Sequence, residues 1–336
     1  MSDNIKNFSD LKNKFKDDPS YKDKLPGEVD FNKAVIGAAE ILALPDEDNT
    51  RVISPILNKS GLMEIFGERG IGKSYFTFSL AWALSTGGNF LKFKVPVPQK
   101  VAYFDGEMGH TKLKPYIQSA QKNQGESFFP ENLDIISCSR FADGTHPQLE
   151  NYTHEVYDFL TSNGYNGVII DSIATCTEID ENNPKEWKPL QKLIIRLRNA
   201  GLFVIFVAHA GLDKGRARGI THREDVLNTV ISLQRAQEVM DDCEKLKVSF
   251  TKHRDFSFKE AAPFHAVRQL DGSWLTEEIN LSTYELVIQW FLLGATGVKI
   301  AEKLDISPPM VSKYKTRAVE EGRLRVNNSG KVLNVF

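Results

Sequence analysis

The sequence predicts an α/β fold: a mainly parallel sheet covered by helices on both faces, followed by a small helical tail. Two observations lead there. Short apolar runs at 62–66, 101–104, 133–136, 167–170, 202–207, 230–233 and 246–251 alternate with helical stretches between residues 31 and 276. That alternation favours parallel strands joined by crossover helices. The helical stretches also keep one apolar face, as where Trp187, Leu190, Leu193, Ile194 and Leu197 recur at spacings of three and four within 185–198. Pro189 in that stretch is expected to delay the start of its helix by a turn.

The 336 residues exceed one average domain of about 100–200 residues and fall short of three. Residues 1–30 alternate Lys and Asp, with few large apolar side chains beyond Ile5, Phe8, Leu11, Phe15, Tyr21 and Leu25. This composition fits a solvated polar arm, or one whose aromatics dock on a neighbouring subunit. Residues 31–280 hold the α/β core, and residues 281–336 read as three helices and a hairpin. Tyr284, Leu286, Val287, Trp290 and Phe291 form a first helix ended by Gly294. A second helix at 298–304 turns at Asp305-Ile306-Ser307, and Pro308 and Pro309 open a third through Val319. Runs at 323–326 and 331–336 then flank Asn327-Asn328-Ser329-Gly330, a hairpin signal.

Composition excludes several classes. Hydrophobic residues at 41% and charged ones at 26% are globular proportions, enough for a core without covalent staples. Cys138, Cys176 and Cys243 lie far apart with no C-x-x-C pair, against a disulfide framework or zinc module and in favour of a reducing cytoplasm. Met1-Ser2-Asp3-Asn4 is too polar for a signal peptide. The best apolar run, 76–84, is broken by Thr77 and Ser79, so no membrane span is expected. The net charge of −2 shows no bulk bias toward nucleic acid. The tail, however, carries eight Lys and Arg against five Asp and Glu, a net of +3 that leaves −5 on residues 1–280. A basic tail on an acidic body points to separate tasks.

The strongest local signal is Gly67-Glu68-Arg69-Gly70-Ile71-Gly72-Lys73-Ser74, which fits G-x-x-x-x-G-K-[ST] at every position. It lies between a strand and a helix that includes Tyr75. Gly67, Gly70 and Gly72 let the N–H groups of the loop, with Arg69 and Ile71 between them, curl around phosphates at a helix N-terminus. Lys73 is expected on the β- and γ-phosphates of ATP and Ser74 on Mg²⁺. A glycine-rich turn with an incidental Lys-Ser is the bland alternative. The strand Val168-Ile169-Ile170 ends in Asp171 at the carboxyl edge of the sheet, suited to the Mg²⁺ shell. The strand before Asp105-Gly106-Glu107-Met108 ends in two acids. Glu107 is expected to polarise the attacking water, with Asp105 a structural acid or part of the metal shell; a turn bearing solvated acids competes with both. His209, ending the 202–207 run, is expected to sense the γ-phosphate, ahead of His253 and His265, while an ordinary structural histidine is its alternative.

With these motifs in order, residues 34–276 resemble the RecA-like P-loop ATPases, and among them the RepA-type branch of hexameric plasmid and phage replication helicases. The resemblance also rests on Asp171-Ser172, on Lys214, Gly215, Arg218-Gly219, Arg223-Glu224-Asp225 and Val226-Leu227, on Lys252 to Phe256, and on Asp271-Gly272-Ser273-Trp274. It implies a homo-hexameric ring with ATP at each subunit boundary. Lys252-His253-Arg254 resembles the K-x-R pair that completes a neighbour's site, with Lys252 near the nucleotide and Arg254 as arginine finger; a solvated strand end is the alternative. The loop bearing Lys214, Arg216 and Arg218 is implied to face a channel and follow single-stranded DNA, unless it is an ordinary basic surface loop. Two departures stand out: Ala208-His209 replaces a frequent histidine pair, and Asn228 stands where the branch often has an acid.

Residues 281–336 resemble a winged helix-turn-helix. This implies that Ser312, Lys313, Lys315, Thr316 and Arg317 face duplex DNA, with Arg323, Arg325 and Lys331 on the wing, unless the module docks protein. The expected function is therefore an ATP-driven DNA helicase or translocase of a plasmid, phage or other mobile element. An ATP-dependent replication initiator or regulator without unwinding is the alternative, and a small-molecule kinase is a weaker third reading.

Overall fold

The computed structural model describes residues 35–43, 51–122, 130–137, 140–141, 148–181, 183–211, 225–236, 244–257, 259–279, 281–327, 330 and 332. The chain divides into two units, Met1–Asp46 and Glu47–Phe336. In the first, the described residues form one short helix, α1 (Ala38–Leu42), with no buried residue. The second opens with a small hairpin, β1 (Arg51–Ile53) and β2 (Leu57–Asn58). Then come β3 (Leu62–Gly67), α2 (Lys73–Thr86), a second hairpin of β4 (Gly88–Phe90) and β5 (Phe93–Val95), and β6 (Val101–Asp105). α3 (Gly109–Lys122), β7 (Leu133–Ser137), α4 (Thr153–Ser162), β8 (Gly167–Asp171), α5 (Ile173–Cys176), α6 (Pro184–Asn199) and β9 (Phe203–His209) follow. The chain continues through β10 (Thr229–Arg235), β11 (Glu244–His253), β12 (Phe264–Arg268) and β13 (Trp274–Glu278) to α7 (Thr283–Leu292), α8 (Gly297–Leu304) and α9 (Pro308–Glu320).

Strands buried along their whole length occupy the middle of the sheet. Among the described residues it has nine strands in the order β13-β12-β11-β10-β3-β9-β8-β6-β7. From β10 to β7 every neighbour is parallel, whereas β10 to β13 pair antiparallel. All seven expected strands form. β12 and β13, the antiparallel extension, and both small hairpins are additional. On one face α2 packs Phe76, Phe78 and Leu80 with Tyr103, Phe203 and Ile231. On the other, α6 packs Trp187, Leu190 and Leu193 with Phe66, Ile170 and Phe206. Among the described residues no helix is long and apolar enough to cross a membrane.

Pro189 does not delay α6. The helix starts five residues earlier, at Pro184, where Asn183 Oδ1 accepts from Lys185 N at 3.1 Å. A proline at the first helical position needs no N–H partner, and burial of five apolar side chains outweighs the one backbone bond lost at Pro189. The tail follows its expected order. Ser282 and Glu285 form a capping box for α7, Thr296 caps α8, and Pro308 opens α9. Val287, Phe291, Ile300, Val311, Ala318 and Leu324 make a separate small core. After α9 the described part of the hairpin is one antiparallel bridge, Val326 to Val332.

Asn228 acts as a clamp at the start of β10. Its Oδ1 accepts from Leu62 N at 3.0 Å, and its Nδ2 donates to Asp255 Oδ2 at 3.0 Å. Asn58 Nδ2 donates to the same oxygen at 3.3 Å, and Arg51 Nη2 to the Asp255 backbone oxygen at 2.9 Å. An acid at 228 has no proton to give Asp255 at neutral pH and faces it charge to charge. Asn228→Asp is therefore expected to cost about 1–3 kcal/mol at pH 7. Urea denaturation of both proteins at that pH measures it.

Candidate active site

The loop after β3 is shaped by contacts that only glycine allows. A Cβ on Gly67 would lie 2.6 Å from the Leu233 carbonyl oxygen and 2.5 Å from Ile71 Cδ1. Gly72, at φ +88°, begins α2 from the left-handed region. Lys73 follows, buried, and its Nζ donates to Gly67 O at 3.0 Å and Glu68 O at 2.8 Å. Burial lowers the pKa of its ammonium group, and the negative charges of Glu107 and Asp171 oppose that effect.

Asp171 closes β8 with 3% of its surface exposed. Tyr103, one strand over on β6, donates its hydroxyl to Asp171 Oδ2 at 2.5 Å. Burial pushes the Asp171 carboxyl up to about 6, against hydrogen bonds from Tyr103 and Ser74 that favour its charged form. The same burial, and then the nearby Asp171, raise the Tyr103 hydroxyl well above its ordinary value.

Glu107 stands in the turn after β6, and Asp105 builds that turn. Asp105 Oδ1 accepts from Met108 N at 2.8 Å, while Oδ2 accepts from Gly109 N at 2.7 Å and Ser137 Oγ at 3.2 Å. Asp105 is buried and does not line the cleft, so of its two expected roles the geometry describes the structural one. Glu107 does line it: its Oε1 accepts from Ser172 Oγ at 3.1 Å and lies 3.9 Å from His209 Nε2. His209 ends β9, beside the loop that ends β3.

These side chains share one open cleft of about 700 Å³, with Lys73, Ser74, Tyr75, Glu107, Asp171 and His209 in its wall. Arg69, Gly70 and Gly72 line it too, while Ile71 turns into the core as the loop's anchor. Five wall residues escaped the sequence reading: Tyr116, Ala174, Thr175, Glu244 and Arg268. The Glu244 carboxylate lies against Gly72 and pairs with Arg268, Nε to Oε2 at 3.0 Å, and the guanidinium stands 4.3 Å from the centre of the Tyr75 ring. Arg268 belongs to β12, which was not expected, and Glu244 precedes the apolar run that marked β11. No motif spacing links either of them to the loop.

The donor set fits a magnesium nucleotide. The Ser74 hydroxyl bonds the Asp171 carboxylate, and such a pair of hard oxygens suits an ion that takes its other ligands from phosphates and water. Among the described residues no group of three or more His, Cys, Asp or Glu is placed to hold a metal by itself.

Other expected site residues lie elsewhere. Lys252, opposite Val230 on β11, and Arg254, whose Nη2 donates to Asp225 O at 2.7 Å, are outside this cleft. Lys214, Arg216 and Arg218 fall outside the described residues, as does Lys331. On α9, Ser312, Lys313 and Thr316 are exposed. Lys315 donates to Gly330 O, and Arg317 donates to Glu321 Oε1 at 2.8 Å and covers the Tyr284 ring. Arg323 and Arg325 face a second cleft, toward β11.

Residues 34–215, more than half of the chain, match the family model described as AAA domain. Among solved structures, a KaiC-like protein from Pyrococcus horikoshii OT3 is 16% identical, with a TM-score of 0.47 over 67% of this chain and 93% of that one. The flagellar accessory protein FlaH from Methanocaldococcus jannaschii is 15% identical, with a TM-score of 0.45 over 70% of this chain and 96% of that one. No curated protein matches the sequence.

The raised Asp171 carboxyl has a measurable consequence. Between about pH 4 and 6 the folded protein holds a proton that the unfolded chain has lost, so stability falls as pH rises through that window. Above it the buried charge opposes folding. Asp171→Asn is expected to melt higher than the parent at pH 7.5, by the equivalent of about 1–3 kcal/mol, and to show little difference near pH 4. Thermal melts at the two pH values check this.

Proposed function

The chain belongs to the AAA domain family, and on that premise we propose that it is a P-loop ATPase that works as a homo-hexameric ring and moves on single-stranded DNA. The observation that carries the ATPase half is the meeting of Lys73, Ser74, Glu107, Asp171 and His209 in one cleft at the carboxyl ends of β3, β6, β8 and β9. Magnesium, held through Ser74 and Asp171, would neutralise charge on the β- and γ-phosphates. Lys73 sits under the loop and meets the same phosphates. Glu107, oriented by Ser172 and beside His209, accepts the proton of a water aligned for attack. His209, in the same wall, would meet the terminal phosphate and report its loss.

The ring and the DNA belong to the same reading. Arg254 and Lys252 stand off their own cleft at the end of β11, a placement that supports service to a neighbouring subunit, with Arg254 as the finger. Lys214, Arg216 and Arg218 would line the channel. Residues 31–280 are then the RecA-like ATPase domain, residues 1–30 a polar arm, and residues 281–336 a winged helix-turn-helix. Three short helices followed by an antiparallel bridge support that last assignment, and exposed Ser312, Lys313 and Thr316 offer its face for duplex DNA. A cytoplasmic protein of a mobile element fits this reading.

Lys73→Ala is expected to lower DNA-stimulated ATP hydrolysis at least 100-fold, and Glu107→Gln by about 10²–10⁴-fold with ATP binding retained. Arg254→Ala should lose hydrolysis in the assembled ring and regain part of it when mixed with Lys73→Ala subunits. The unaltered chain should displace a strand from forked DNA. DNA-stimulated hydrolysis without displacement would favour the initiator or regulator instead, and full activity of Lys73→Ala would overturn the ATPase assignment.

A further inference from the structure

A second cleft, of about 400 Å³, lies between the antiparallel side of the sheet and α7. Its floor is unusual for strands this central. Ser232 and Gln234 on β10 stand opposite Ser249 and Lys247 on β11, and Thr251 continues the same row. The reverse face of these strands carries Ile231, Leu233, Leu246, Val248 and Phe250 in the apolar core. Parallel strands of an α/β sheet normally bury apolar residues on both faces, and β10 is parallel to β3. Here one face is a ladder of hydroxyls, an amide and an ammonium. Ser232 is 2% exposed, and its Oγ has no hydrogen-bond partner among the described residues. Such an orphan opposes folding unless something bonds it.

The remaining walls supply charge and apolar surface. Arg323 and Arg325 approach from the segment after α9, and Ile288 and Leu292 of α7 form an apolar side. Glu285 is the one acid in the wall. Hydrogen bonds from Ser282 hold its carboxyl below the ordinary range, and the positive charges of Arg323 and Lys247 add to this. Three cations against one carboxylate leave the cleft positive.

We propose that this cleft binds a phosphate-bearing small molecule of nucleotide size, at a site separate from the Lys73 cleft. Its volume lies in the usual range of small-molecule sites, about 300–1,000 Å³. Ammonium and guanidinium groups recognise the phosphate, the hydroxyl and amide row donates to phosphate-ester and base oxygens, and the α7 side accepts an apolar ring. The floor also leads to the other site. Leu233 is in register with Gly67, and Arg235 Nη2 donates to Gly70 O at 3.4 Å. A ligand gripped by Ser232 and Gln234 therefore ties the tail to the back of the phosphate loop. The proposal does not depend on what the Lys73 cleft does.

Thymidine 3′,5′-bisphosphate, titrated calorimetrically into the full chain, tests it, with thymidine as the unphosphorylated control. The bisphosphate should bind the parent and Lys73→Ala within twofold of each other, and Lys247→Ala at least tenfold more weakly. Thymidine should not bind. Ser232→Val should also bind more weakly, yet melt at or above the parent temperature without ligand, because it removes an unbonded hydroxyl. No binding to the parent, loss of binding in Lys73→Ala, unchanged affinity in Lys247→Ala, equal binding of thymidine, or a lower melting temperature for Ser232→Val would each overturn the proposal.

Discussion

A carboxylate withdrawn from water at the end of a central strand is the constraint on which the cleft depends. Asp171 is almost fully buried, and an isolated buried charge is among the costliest features of a fold. Its partners come from different elements: Tyr103 from β6 and Ser74 from α2. To bring them together, β6 must lie beside β8, and α2 must begin where the glycine loop delivers it. The parallel order β3, β9, β8, β6 does this, because it puts the carboxyl ends of these strands on one edge. The two hydrogen bonds do not fully offset burial, since the carboxyl still prefers its proton up to about pH 6. A divalent cation bound as proposed would favour the charged form, so in that reading the poorly compensated acid and the metal site would be one feature.

The same logic orders the other side of the sheet. β10 is parallel to β3 and antiparallel to β11, so it is where the fold changes character. Asn228 fastens its start to Leu62 and Asp255, and Thr229 Oγ1 donates to Ile56 O at 2.7 Å. At its far end Arg235 touches the glycine loop. β10 thus runs from the turn that carries Arg254 to the loop that carries Lys73. A shift in this one strand would reach both ends, and it also forms the floor of the second cleft.

How much of this was legible in the sequence follows from which interactions are local. β3, β6, β8 and β9 were readable because burial on both faces leaves a continuous apolar signal, and β7, β10 and β11 because enough apolar residues remain in each run. The glycine loop was readable because backbone N–H chemistry constrains consecutive positions. Asp171 and Glu107 were readable as acids at strand ends. β12 and β13 were not, since on an edge strand such as Trp274–Glu278 four of five residues are exposed and no apolar run survives. Glu244, Arg268 and Tyr116 were hidden for another reason: their place in the cleft comes from strand register and ring contacts across distant parts of the chain. Pro189 misled because a helix already held by its apolar face tolerates one missing bond. Asn228, a departure from the resembling family at the level of sequence, has a positive role that only its two partners explain.

The charge balance takes on a different meaning once partners are known. A net of −2 describes a chain in which many cations are committed to internal contacts. Arg51 bonds backbone oxygens of Pro55 and Asp255, Lys245 pairs with Glu277 at 2.9 Å, Arg268 with Glu244, and Arg317 with Glu321. Lys92 and Lys100 lie over aromatic rings. Even the basic tail turns part of its charge inward, with Arg323 and Arg325 facing the second cleft. Among the described residues, positive charge is thus engaged largely in internal pairs rather than in a long-range field, which needs unpaired charge. A local grip on a phosphate forms where two or three cations converge against hydroxyls. The Lys73 loop and the cleft beneath α7 are the two described places with that composition.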